Sequence, residues 1–144
     1  MAKVERTITI NAPVEKVFGY MTEPTTLPEI WPSMVEVKDV KRTPEHIGTT
    51  FQWAYKMAGM RFEGSSTVIE YVANQREVTK SERGIPSTFV WTYQPEDGGT
   101  RLTVEVEYTI PVPLLGKLAE AFIAKQNEHE AEVMLANLKA RMEI

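Results

Sequence analysis

The sequence predicts an α+β fold: a curved, seven-stranded antiparallel sheet, two short N-terminal helices, and a long C-terminal helix over the concave face. Three observations predict it. Several runs alternate apolar and polar residues, turn signals separate those runs at fairly regular intervals, and residues 114–142 form a helical tail with one glycine and no proline. The 144 residues fit one domain, which we assign to residues 1–144.

The composition excludes several classes of protein. No cysteine is present, so a disulfide framework, a thiolate zinc site and a cysteine nucleophile are excluded. The formal net charge of −4 disfavours nucleic-acid binding, because phosphate contacts need a positive surface. His46 and His129 lack metal-ligand spacing, so we expect neither a metal site nor a cofactor. Without a long apolar run or a signal-peptide pattern, we expect no integral membrane segment and a cytoplasmic location.

The N-terminal segment predicts one strand and two short helices. Three apolar residues recur with strand-like spacing, namely Val4, Ile8 and Ile10. Pro13 suits the first turn of a helix, and Pro24 ends that helix. Its apolar face has the spacing i, i+3, i+4 and i+7 and comprises Val14, Val17, Phe18 and Met21. Residues 27–32, pinned by two prolines, predict a second short turn or helix.

The middle of the chain predicts six further strands. The strand-like runs are residues 34–42, 49–57, 60–72, 77–83, 88–93 and 101–110. The breaks between them are short and carry glycine, proline or asparagine, which favours antiparallel neighbours. Several runs are apolar on one face and polar on the other, which is typical of a sheet covered on a single side.

The C-terminal tail carries two apolar stripes that point in different directions. The first stripe comprises Leu115, Leu118 and Phe122. The second comprises Ala131, Met134, Leu135, Leu138 and Met142, and residues 125–130 between the two are polar. A straight helix on one flat partner would keep one stripe. We therefore predict either a bend near residues 124–130 or two partners, with the second half gripping the sheet and the first half over a cavity mouth or against the N-terminal helices.

The sequence also resembles a known family. Residues 10–21 (Ile-Asn-Ala-Pro-Val-Glu-Lys-Val-Phe-Gly-Tyr-Met), followed by Pro24, Leu27-Pro28 and Trp31-Pro32, look like the opening of the polyketide cyclase/dehydrase and lipid-transport family. Residues 98–103 and 113–116 are similar to its penultimate hairpin and last-helix entry. The family belongs to the START/Bet v 1-like (SRPBCC) superfamily. The resemblance implies the helix-grip fold and binding of hydrophobic or aromatic molecules in a central cavity, sometimes with aromatase or cyclase chemistry. The glycine-rich loop of plant Bet v 1 proteins is absent, since residues 46–50 carry a single glycine.

Aromatic residues on the predicted strands are the main candidates for ligand binding, because they offer large apolar contact areas. The candidate set on strands and helix is Phe51, Trp53, Tyr55, Phe62, Phe89, Trp91, Tyr93, Tyr108, Phe122, Met134 and Leu138. The alternative interpretation is ordinary core packing, which is favoured for any one of these residues alone.

No catalytic residue is assigned from the sequence. The charged strand residues considered for catalysis are Arg61, Glu63, Glu70, Lys80, Arg83 and Glu105, and an outward, solvated position is favoured for each. The sequence favours a non-enzymatic binder of a lipid, polyketide or isoprenoid-like molecule. One alternative is an aromatase, cyclase or dehydratase, which needs two or more titratable groups facing the cavity. The other is a protein-interaction module with an exposed apolar patch at Leu114, Leu115, Leu118 and Phe122.

Overall fold

A computed structural model describes residues 2–110 and 116–144 of the chain. It confirms the predicted α+β fold, with the elements in the expected order. The strands are β1 (Ala2–Ile10), β2 (Met34–Lys41), β3 (Thr50–Met57), β4 (Met60–Val72), β5 (Arg76–Ser81), β6 (Ser87–Glu96) and β7 (Gly99–Tyr108). The helices are α1 (Val14–Met21), a 3-10 turn (Pro24–Thr26), α2 (Leu27–Ile30) and α3 (Lys117–Met142).

All seven strands form one antiparallel sheet in the order β1-β7-β6-β5-β4-β3-β2. Strands β2 to β7 follow one another as a meander, and β1 joins the far edge beside β7. Register irregularities occur between Val68 and Glu70 of β4 and at two places in β2. Such bulges bend the strand that carries them, which helps the sheet to curve.

Two of the predicted turns have the backbone that a two-residue hairpin requires. Ala58 and Gly59 join β3 to β4, and both have positive φ angles, 53° and 75°. Asp97 and Gly98 join β6 to β7 with φ angles of 49° and 81°. Positive φ at both central positions is the pattern of hairpin turns whose twist matches that of the strands. These turns keep consecutive strands as neighbours.

Helix α1 packs over one end of the sheet, through the apolar face that the sequence predicts. All four residues of that face are buried, namely Val14, Val17, Phe18 and Met21. The ring of Phe18 contacts the rings of Tyr71 on β4 and Tyr93 on β6 edge to face, at centroid distances of 5.3 and 4.9 Å. This end of the concave face is therefore filled by side chains.

Helix α3 is continuous through residues 124–130, and its two halves differ in burial. The second stripe, Ala131, Met134, Leu135, Leu138 and Met142, is buried as predicted. The first stripe does not pack as predicted: Leu118 is 89% exposed and Phe122 is 64% exposed, while Leu115 lies outside the described residues. Ile123 is the buried apolar residue of this half, about a third of a turn away from Phe122.

Polar contacts fix the C-terminal end of α3 to the start of the chain. Lys139 Nζ donates to the carbonyl oxygen of Thr9 at 3.0 Å, and the carboxylate of Glu143 accepts from the backbone N–H of Asn11 at 2.7 Å. Asn137 Nδ2 donates to the carbonyl oxygen of Ile30 at 2.9 Å. These bonds hold the helix across the sheet.

Candidate functional site

A cavity of about 110 Å³, measured as space for the centre of a water-sized sphere, lies between the sheet and α3. Strands β1 and β3 to β7 supply most of its wall, residues between Met21 and Met34 line one side, and Asn127, Ala131 and Met134 of α3 line another. A single water needs roughly 10–15 Å³ on this measure. The cavity therefore has room for a small organic molecule, or for the inserted part of a larger one.

The structure brings seven of the eleven predicted ligand-binding residues to this cavity. They are Phe51, Trp53, Tyr55, Phe89, Trp91, Tyr108 and Met134. The strand period explains the grouping, because alternate residues of β3 and of β6 point to the same face. That they contact a ligand stays a prediction.

The other four predicted residues lie outside the cavity lining. Tyr93 is buried beneath Phe18, and Leu138 is fully buried where α3 packs closely on the sheet, so both belong to the solid core. Phe62 is half-buried beside the core, near the β3–β4 hairpin. Phe122 faces away from the sheet. Strand alternation and helix phase find the correct face of an element, but they do not give the position of the hollow along it.

Trp31, which follows α2, belongs to the cavity wall, although the sequence predicts only a short turn or helix for this segment. Its ring meets those of Tyr55 and Phe89 edge to face, with centroids 5.5 and 5.4 Å apart. Phe89 in turn stacks on Trp91 at 5.9 Å. Aromatic rings in these arrangements support one another, so the wall is a connected group of rings. The feature of the sequence that could have identified Trp31 is its place in a short segment bounded by two prolines.

Trp53 is held in the wall by a hydrogen bond, and two glycines beside it leave room for its ring. Its Nε1 donates to Ser66 Oγ at 3.0 Å. Its indole ring lies against Gly64 on β4 and Gly84 after β5, where a Cβ atom at either position would overlap the ring or a backbone carbonyl. Gly84 also has a φ of 75°, which favours glycine.

Tyr108 joins the sheet to α3 at the edge of the cavity. Asn127 Nδ2 donates to the Tyr108 hydroxyl oxygen at 2.9 Å. Burial raises the pKa of Tyr108 above its ordinary value, and burial likewise raises the pKa of Tyr55. Both phenols therefore stay neutral at physiological pH.

Glu77 on β5 is the one carboxyl that the described part of the chain turns into the cavity, and it is not among the residues that the sequence predicts for the site. Its side chain is buried, with 7% of the residue exposed, and it lies opposite Trp91 and Tyr71 in the sheet. Burial raises the pKa of Glu77 to about 8, so the group is mostly protonated at pH 7. The sequence pattern does not reveal this position. Val78 is the only apolar residue of β5, so alternation predicts that the face carrying Val78 is buried and that Glu77, on the opposite face, is exposed.

The charged strand residues named above as candidates for catalysis lie elsewhere. All six are exposed on the sheet or its loops, namely Arg61, Glu63, Glu70, Lys80, Arg83 and Glu105. Within residues 2–110 and 116–144, no group of three or more acidic or histidine side chains is arranged to hold a metal ion. In the same part of the chain, no helix combines the length and the apolar character needed to cross a bilayer.

Solved structures with the same fold are similar to the chain over almost its whole length. Protein TTHA0849 from Thermus thermophilus is 21% identical with a TM-score of 0.84, over 97% of this chain and 96% of that chain. A START superfamily protein from Mycobacterium smegmatis is 17% identical with a TM-score of 0.79, over 99% and 98%. The Zhui aromatase/cyclase from Streptomyces sp. R1128 is 16% identical with a TM-score of 0.78, over 98% and 93%. Similarity at these identities shows the fold alone.

The sequence itself gives the family. No curated protein is significantly similar to the chain. The family model described as "Polyketide cyclase / dehydrase and lipid transport" matches residues 1–143, which confirms the resemblance found in residues 10–32 and in the later motifs. The chain therefore belongs to the polyketide cyclase/dehydrase and lipid-transport family.

Proposed function

We propose that the protein binds a hydrophobic small molecule, of lipid, polyketide or isoprenoid type, in the cavity between the sheet and α3. The observation that carries the proposal is the lining, in which aromatic and aliphatic side chains from the strands and the helix surround the cavity. Burial of apolar ligand surface there contributes roughly 25 cal/mol per Å² before the costs of association. The family description, which includes lipid transport and polyketide chemistry, supports the same class of ligand.

The side chains of the wall are fixed by contacts with one another. Trp31, Tyr55, Phe89 and Trp91 hold one another through ring contacts, and Trp53 is fixed by its hydrogen bond to Ser66. A preformed wall reduces the side-chain ordering that binding requires, so more of the burial free energy appears as affinity.

A neutral fluorescent probe, N-phenyl-1-naphthylamine, tests the proposal directly. Its fluorescence rises in an apolar environment, and we expect saturable binding to the wild-type protein. Ala131 lines the cavity from α3, whereas Ala136 is exposed on the same helix. Ala131→Leu adds carbon atoms inside the cavity and is expected to weaken binding tenfold or more, while Ala136→Leu is expected to leave it unchanged.

Two results would contradict the proposal. One is the absence of saturable binding to the wild-type protein. The other is an equal effect of Ala131→Leu and Ala136→Leu, which would place the probe on the surface. Native mass spectrometry of the protein purified from its own host then identifies the mass of a bound molecule.

A second candidate function is acid–base catalysis on a substrate in the same cavity, and Glu77 favours it. A neutral carboxylic acid with a pKa near the working pH can transfer a proton to a carbonyl oxygen and take it back. The hydroxyls of Tyr55 and Tyr108 are further titratable groups at the wall. Incubation of an open-chain polyketone with the protein separates the two functions, because cyclisation with dehydration removes one water from its mass and carriage leaves the mass unchanged.

A further inference from the structure

We propose that Glu77 is a specificity-determining residue, and that the cavity selects a neutral apolar ligand with a carbonyl oxygen to which the Glu77 carboxyl donates a hydrogen bond. The inference rests on the proposed function, since it names the chemistry of the ligand for the same cavity. It concerns a group that neither the family motifs nor the aromatic wall requires.

The Glu77 carboxyl, like Trp31 Nε1, is a polar group of the wall that has no hydrogen-bond partner among the described residues. Trp53 is paired with Ser66, and Tyr108 is paired with Asn127. The Glu77 carboxyl makes neither a hydrogen bond nor an ion pair within residues 2–110 and 116–144, and desolvation is the sole cause of its shifted pKa. A buried polar group without a partner costs about 1–3 kcal/mol, which a ligand that pairs with it recovers.

The surroundings of Glu77 favour the neutral acid. The titratable groups that face it are the phenols of Tyr71 on β4 and Tyr93 on β6. Burial raises the pKa of both above the ordinary value, so both remain uncharged through the range in which Glu77 titrates. From the α1 side the cavity receives Met21 and Thr22, neither of which carries a charge.

The cations nearest in sequence are turned away from the cavity. Arg76 Nε pairs with the carboxylate of Glu70 at 3.1 Å, and Lys80 lies 4.0 Å from the carboxylate of Glu82. Without a cation beside it, a buried carboxyl is more stable protonated.

The chemistry of a neutral carboxylic acid then decides among ligands. Its O–H needs an acceptor, and a carbonyl oxygen accepts without carrying a charge into the cavity. A hydrocarbon leaves the group unpaired. An anionic ligand carries a charge for which the cavity supplies no cation, and a cationic ligand requires the ionised form of Glu77.

Two matched naphthalenes test the inference, since 2-acetylnaphthalene and 2-ethylnaphthalene differ chiefly by one carbonyl oxygen. We expect the wild-type protein to bind the ketone about five- to tenfold more tightly, as one net hydrogen bond allows. Titrations followed by tryptophan fluorescence or calorimetry give both dissociation constants. Glu77→Gln keeps a neutral donor and is expected to keep the preference, whereas Glu77→Leu is expected to abolish it.

The pH dependence gives a second readout that does not depend on a folded leucine variant. The donor is lost as Glu77 ionises, so ketone affinity is expected to be constant below about pH 7 and to fall above pH 8. The ethyl compound, and both compounds with Glu77→Gln, are expected to show no such fall.

Each remaining outcome bears on a different claim. Equal affinity for the two compounds in the wild-type protein, or a preference that survives Glu77→Leu, overturns the role of Glu77 but leaves the apolar cavity as the binding site. Tighter binding of 1-(2-naphthyl)ethylamine, lost with Glu77→Gln, overturns it in favour of a cationic ligand. Failure of all three compounds to bind the wild-type protein overturns the proposed function together with this inference.

Discussion

At Gly64 the absence of a side chain determines where Trp53 lies. A Cβ at this position would overlap both the Trp53 indole and the backbone carbonyl of Arg83. Because the Arg83 carbonyl belongs to the backbone, rotation of the Trp53 indole alone cannot relieve the overlap. The position of the Trp53 ring in the cavity wall thus depends on Gly64, which lies two residues before Ser66, the hydrogen-bond partner of Trp53.

Gly64→Ala is therefore expected to destabilise the protein by about 1–3 kcal/mol, as overpacking does, and to change the near-UV circular dichroism of Trp53. Gly19→Ala is the matched control, since Gly19 is exposed on α1 and nothing lies within 4 Å of its added Cβ. Alanine there is expected to stabilise by about 0.5–1 kcal/mol. Urea unfolding measures both changes, and equal free energies of unfolding for the two variants would contradict the account.

Glu77 makes the free energy of unfolding depend on pH. Its pKa is about 8 in the folded protein and near the ordinary 4.5 in the unfolded chain. Between these values the folded state holds a proton that the unfolded state has released, so stability falls as pH rises, by at most about 1.4 kcal/mol per unit. We expect Glu77→Gln to remove this fall, so that its stability gain over wild type grows from pH 5 to pH 8. Parallel stability curves, measured in urea across that range, would show that Glu77 ionises normally.

At the scale of elements, α3 is one helix with two environments. Its second half carries the buried stripe and the bonds to the start of the chain, whereas Ile123 is the buried apolar residue of its first half. Burial and contact thus concentrate where the helix crosses β1. The two stripes that the sequence predicts have this origin: one meets the sheet, and the other, at Leu118 and Phe122, meets solvent.

Truncation of one residue in each half is expected to separate the two environments. Leu138→Ala removes a fully buried side chain and is expected to cost about 2–5 kcal/mol. Phe122→Ala is expected to change stability by less than about 0.5 kcal/mol, because the ring is 64% exposed. Thermal or urea unfolding of both variants measures the difference. A large loss with Phe122→Ala would mean that the first half packs on the protein in solution.

At the scale of the whole molecule, the fold keeps the helix and the sheet apart in the middle and packs them closely at one end. Phe18, Tyr93 and Leu138 fill the packed end, while Trp31 and Trp53 belong to the wall of the hollow. Lining atoms of a hollow lack packing partners, so the protein gives up stability to keep the space. A guest that fills it restores those contacts.

Saturation with a bound apolar ligand is therefore expected to raise the melting temperature. At a free ligand concentration of 100 times the dissociation constant, the gain is about 2.7 kcal/mol, which corresponds to roughly 5–10 °C for a chain of this size. Ala131→Leu is expected to raise the melting temperature without ligand and to remove most of the shift. Calorimetric scans with and without N-phenyl-1-naphthylamine measure both effects, and a ligand shift retained by Ala131→Leu would place the binding elsewhere.

Much of this architecture is predictable because it follows from local rules. The hairpin turns at Ala58-Gly59 and Asp97-Gly98 and the alternation in β3 and β7 give strand order and face. The extent of the cavity does not follow from local rules, since it depends on how closely α1 and α3 approach the sheet. Alternation and helix phase therefore assign Tyr93 and Leu138 to the wall, because both lie on the correct faces of β6 and α3.

Glu77 shows a second limit of prediction from sequence, which is the direction in which a single side chain points. Its phase is shared with Thr79 and Ser81, which also are buried, but Val78 between them indicates the opposite orientation. The bulge in β4 beside it, between Val68 and Glu70, shifts the pairing in a way that alternation does not reveal. An inward carboxyl also violates the usual exposure of charged residues, so composition argues against it.

The unequal attachment of α3 has a consequence for where the helix opens. Bonds from Lys139, Glu143 and Asn137 fasten the helix at its C-terminal end, and segments with few buried contacts open at the lowest free energy. The portion from Lys117 to about Phe122 is thus the part that unravels most readily. Asn127, Ala131 and Met134, which line the cavity, lie between this portion and the fastened end, so fraying of the first turns leaves the cavity lining and the sheet in place.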